Sequence, residues 1–66
     1  MIHAAGLALA RRYVREAEVV VSQQRRTVAE LRRRGRPCAD DESLLLTFES
    51  ALAAFRGDLK TVQDLR

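Results

Sequence analysis

Residues 31–42 read LRRRGRPCADDE, and this stretch decides the fold. Arg32, Arg33 and Arg34 put cations where a helix C-terminus carries the negative end of its dipole. Gly35 supplies a residue able to take positive φ as a helix terminates. Pro37 lacks an N–H and blocks continuation of the first helix. Asp40, Asp41 and Glu42 then load the first turn of a second helix with negative charge. Cys38 falls near the N-cap of that helix, where a thiol is a poor substitute for a Ser or Thr oxygen. One helix ends here and another begins.

On either side the apolar residues keep helical time. Leu7, Ala10, Val14, Ala17, Val21, Gln24, Val28 and Leu31 follow alternating steps of three and four, a heptad seam with one polar member, Gln24. Leu45, Phe48, Leu52, Phe55, Leu59 and Val62 repeat the alternation beyond the turn. Two matched seams joined by one turn predict an all-α fold, an antiparallel two-helix hairpin of coiled-coil type. The helices are expected at about 4–34 and 39–65, with a turn at 35–38, in one domain spanning 1–66. Folding about residue 38 opposes positions whose numbers sum to about 76. That sets Val21 against Phe55, Val28 against Phe48, Ala17 against Leu59 and Gln24 against Leu52. A polar seam residue either fixes register or turns its amide to the edge.

At 66 residues the chain makes one small domain, a size that usually needs a staple or a partner. Cys38 is the only cysteine, which excludes an internal disulfide. With His3 it supplies the only soft ligands, and no CxxC or HxxxH spacing exists, so no metal and no cofactor is expected. Oligomerisation is the remaining route. Apolar residues beyond the seam agree: Tyr13, Val20, Leu44, Ala51 and Leu65 form a flanking column, expected to be the oligomer interface. Val19, Leu46, Ala53 and Ala54 widen the apolar arc, and Ile2, Leu7 and Leu9 are expected to overhang the second helix. A homodimeric four-helix bundle covers such surface, and a different protein would cover it equally well.

Charge divides between the halves. From Met1 to Arg36 nine Arg oppose three acids; from Pro37 to Arg66 three bases oppose six acids. The first explanation is a basic helix paired with an acidic one, with flanking charges setting orientation. The second is nucleic-acid binding, through a discontinuous stripe of Arg11, Arg12, Arg25, Arg26, Arg32 and Arg33 tracking phosphates. Dimeric RNA-binding hairpins of this length occur in the Rop family. Glu18 and Val19 interrupt the stripe, and no aromatic residues are interleaved for base stacking.

Catalysis finds no constellation. His3 reads as a solvated residue of a frayed N-terminus, and consecutive acids at Asp40, Asp41 and Glu42 point around a helix rather than converging. Cys38 sits among Arg residues near a helix N-terminus, conditions that lower a thiol pKa, but lacks a base and reads as a capping or partly buried cysteine. No enzyme, no catalytic residue and no small-molecule substrate are expected. The opening MIHAAGLALA is too short for a membrane span and is followed, not preceded, by Arg11 and Arg12, so neither a membrane segment nor a signal peptide is expected. A lone cysteine suits a reducing compartment, which gives a cytoplasmic protein.

Two motifs carry a family resemblance. Val14-x-Glu16-x-Glu18-x-x-Val21-x-x-Gln24-x-x-x-Val28-x-x-Leu31-x-x-x-Gly35, followed by Leu44-Leu45-x-Thr47-Phe48-Glu49-x-x-Leu52, resembles a group of short two-helix proteins of rhizobia and related alphaproteobacteria, a family of unknown function. The likeness covers about fifty residues, chiefly Tyr13 to Leu65. It implies two helices joined at a glycine turn. A histidine often stands in that family where Phe55 stands here, and the chain departs from the pattern again at Pro37-Cys38. The resemblance implies the hairpin and supplies no activity.

Overall fold

The computed structural model describes residues 4–65. Helix α1 runs Ala4–Arg33 and helix α2 runs Ala39–Asp64, and the two pack against each other as a hairpin, with no strand among the described residues. The hairpin is a rod with principal extents of 51 × 14 × 12 Å. His3 and Ile2 lie outside the described residues.

The turn is built as its residue types require. Gly35 takes φ 65°, the Arg36 N–H donates to the Leu31 carbonyl at 2.9 Å, and the Gly35 N–H donates to that of Arg32 at 3.1 Å. These two bonds make a Schellman cap that satisfies carbonyls the helix would otherwise leave open. Arg32 and Arg33 fill the last turn of α1, and Asp40, Asp41 and Glu42 the first turn of α2. Cys38 is the N-cap of α2 and makes no side-chain capping bond.

Leu7, Val21, Val28 and Leu52 are buried, with Val21 2 % and Val28 3 % exposed. Val14, Leu31, Leu45, Phe48, Phe55, Leu59 and Val62, expected to share that core, are half-buried. The distribution has a direction. In heptad terms the buried residues of α1 belong to the row Leu7, Val14, Val21, Val28, while the adjoining row Ala10, Ala17, Gln24, Leu31 stays half-buried. One face of the hairpin is therefore better covered than the other, although Leu46 on the covered side is 66 % exposed.

Register departs from the expected sum of 76. Arg25–Glu49, Glu18–Arg56 and Arg32–Glu42 each sum to 74, and the stacked pair Tyr13–Phe55 sums to 68. The cap contributes to this. It sets the fold-back point midway between Arg33 and Ala39, at residue 36 rather than 38, so that opposed positions sum to about 72, within the spread from 65 for Gln24–Asp41 to 74 for the long-armed ion pairs. The same shift brings Asp64 level with the first turns of α1. Leu7 is consequently buried at 8 % exposure, against the expectation of an overhang, while Leu9 stays exposed.

Candidate protein-interaction face

The two faces of the hairpin differ in chemistry. On the better-covered face, Glu18, Arg25 and Arg32 recur every seven residues along α1 and meet Arg56, Glu49 and Glu42, which recur every seven along α2. The cross-helix distances are 3.1, 2.9 and 3.1 Å respectively. Each pair joins unlike charges, so sliding one helix along the other by more than a turn loses them. Exposed pairs add little stability individually. Their value is specification: the short turn already sets the antiparallel orientation, and the pairs favour one register, in line with the first of the two explanations for the charge division.

The opposite face holds no such row. Tyr13, Val20, Leu44 and Leu65 are exposed there, at 43, 37, 42 and 64 % respectively, and Ala51 is half-buried. Between the helices on this face lies an apolar groove of about 270 Å³, lined by Tyr13, Glu16, Ala17, Val20, Phe48, Ala51 and Phe55. Tyr13 stacks on Phe55 across the groove with ring centroids 5.5 Å apart. Such a pair adds about 0.5–1.5 kcal/mol beyond its area. Of the expected interface column the structure brings Tyr13, Val20 and Ala51 to this groove, whereas Leu44 and Leu65 stand toward its two ends. Phe48, Phe55 and Ala17, read from the sequence as core, join it because their row is only half covered.

Gln24 resolves its two options by crossing the seam. Its Nε2 donates to the Asp41 carbonyl at 2.9 Å and to the Asp41 Oδ1 at 3.2 Å, so the half-buried amide ties α1 to the start of α2 instead of facing Leu52. No buried side-chain polar atom among the described residues lacks a partner.

Most of the candidate phosphate-binding stripe is neutralised within the chain. Arg12 pairs with Glu16 at 2.9 Å, Arg33 pairs with Glu30, and Arg25 and Arg32 belong to the cross-helix row. Arg11 and Arg26 form no ion pair among the described residues. Four of the six stripe cations are thus ion-paired within the chain, Arg33 sharing Glu30 with Arg34, and two are not.

Cys38 corrects its expected environment. Its Sγ donates to Glu42 Oε1 at 2.9 Å, the same oxygen that Arg32 reaches at 3.1 Å. The bond to Glu42 pushes the thiol pKa up, and Arg32 offsets this only in part. The Glu42 carboxyl is held below its usual range by the Cys38 bond and by Arg32. The neighbouring carboxylate outweighs Arg32, so the half-buried thiol is held above its usual range, away from the thiolate form that a nucleophile needs. Among the described residues no three His, Cys, Asp or Glu side chains cluster as a metal site requires, and no helix is long and apolar enough to cross a membrane.

Comparison with family models, curated proteins and solved structures finds no match to this chain.

Proposed function

We propose that this chain is a non-enzymatic protein–protein interaction module, a small scaffold or regulator that works as an oligomer of helical hairpins in the cytoplasm. The resemblance to the rhizobial-type two-helix family belongs to the same proposal. One observation carries it: the hairpin closes one face with cross-helix ion pairs and leaves aromatic and aliphatic side chains open along the other. Area supports it. A folded monomer of 7.5 kDa is expected to expose roughly 4,250 Å². The hairpin exposes 5092 Å², about 850 Å² more, which is close to what one partner contributes to a standard interface. Sedimentation equilibrium on the intact chain tests the reading: the mass should be a multiple of 7.5 kDa at micromolar concentration, and a lone chain throughout the range overturns it.

The second reading, nucleic-acid binding, draws on Arg11 and Arg26, which remain outside the ion pairs of the described residues. Salt dependence separates the two. Engagement of all six stripe arginines gives a slope of log K against log salt of about −5, and two give about −2. We expect a slope no steeper than −2 in a titration of mixed duplex and single-stranded nucleic acid, with binding gone at moderate salt. A slope near −5 would favour the nucleic-acid reading, because it requires the internal ion pairs to open.

A further inference from the structure

The open face is long. Exposed apolar side chains of the column run from Leu65 at the open end, past Tyr13 and Val20, to Leu44 near the turn, along a rod 51 Å in length. A short peptide or a rounded surface covers part of such a strip, whereas a rod of equal length covers all of it. The surplus of about 850 Å² also equals what one hairpin would bury against another. Both features fit a second copy of this chain.

Two twofold arrangements lay one open face on another. With the axis along the rod, both turns share one end and each α1 lies on α2 of the other copy. With the axis across the rod, the turns lie at opposite ends, α1 lies on α1 and α2 on α2. Charge decides between them. Helix α1 carries seven Arg against three Glu, while α2 carries Arg56 and Lys60 against six acids. The first arrangement gives every helix two neighbours of opposite sign, and the second stacks like on like. The first also sets Asp40 and Asp41 beside Arg34 of the other copy, where the second sets them over the apolar open end near Leu65.

We infer that two copies pair through their open faces with both turns at the same end, so that each basic helix packs between two acidic ones. This rests on the oligomer reading above and names its partner and geometry. It leaves the ion-pair faces outward on both sides of the bundle and brings the two Cys38 residues to one end.

Cys38, the sole cysteine, makes the test direct. A nitroxide on Cys38, read by pulsed dipolar spectroscopy, should give a distance well under half of the 51 Å rod length. A distance near the full rod length overturns the geometry while leaving the oligomer intact. A two-chain mass with no measurable coupling is ruled on by a second label site, Cys38→Ser with Gln63→Cys at the open end of α2, which should again give a short distance and overturns the proposal if it gives a long one. A single-chain mass at every concentration overturns both the geometry and the oligomer reading, and leaves the open face to a different protein.

Discussion

Leu52→Ala should abolish most of the helical signal of this protein in dilute buffer. Leu52 is the only buried residue of α2, at 6 % exposure, and it packs in a core whose other buried members all come from α1. Truncating a buried leucine costs about 2–5 kcal/mol, the transfer energy of the lost methyls plus the cavity they leave. A single core in a chain of this size seldom supplies more than about 3–5 kcal/mol. The loss and the reserve are of the same size, so the variant sits at or beyond its unfolding midpoint. Urea titration followed by circular dichroism measures this, with Leu46→Ala as control. Leu46 is 66 % exposed, and its truncation should move the midpoint little. Similar shifts for the two variants would mean that the buried row around Val21 and Val28 does not organise the fold.

The second large effect is on assembly. Val20→Glu should weaken self-association by a hundredfold or more, while Ser22→Glu should leave it nearly unchanged. Both substitutions put the same side chain into the middle of α1, so effects of helix propensity and net charge cancel in the comparison. They differ in face. Val20 lines the apolar groove beside Ala51 and Phe48, whereas Ser22 borders an open recess with Arg15, Glu18 and Arg26. A carboxylate enclosed without a partner costs about 3–5 kcal/mol, or about two to three and a half powers of ten in affinity. Beside Arg15 and Arg26 the same carboxylate is solvated and faces favourable charge. Sedimentation of the two variants in parallel reads the difference, and equal association would remove the groove face from the interface.

The hairpin was legible because its evidence is local. A Gly-Arg-Pro turn, flanking charges matched to the helix dipoles and two seams in heptad steps all lie within a few residues of one another. Register was less legible because it depends on where the cap closes. Pro37 and Cys38 draw attention to residue 38, but the Schellman bonds from Gly35 and Arg36 place the fold-back two residues earlier. The slip of about one turn preserves which residues share a face and changes which residues meet. Tyr13, Val20 and Ala51 accordingly line one groove, as residues of one column do at any register, whereas the Tyr13–Phe55 stack and the Gln24–Asp41 bonds depend on the register itself. A signal for the ion-pair row was present: Glu18, Arg25 and Arg32 against Glu42, Glu49 and Arg56 are heptad-spaced sets of complementary charge, and one sum, 74, satisfies all three.

The thiol shows a different limit. Counting arginines near Cys38 suggested a lowered pKa, whereas direction depends on which group makes the hydrogen bond. Glu42 lies one helical turn on and receives that bond, so its effect exceeds that of Arg32. Proximity in sequence indicated the participants and not their geometry.

The account depends on surface that one hairpin cannot hide, so stability should draw on a second chain. Thermal unfolding followed across a hundredfold range of protein concentration tests this most directly. Mass action supplies about 2.7 kcal/mol per pair over that range, and the midpoint should rise by roughly 5–10 °C. A midpoint that stays fixed from the lowest concentration to the highest would contradict the account, because a chain that folds alone gains nothing from its neighbours.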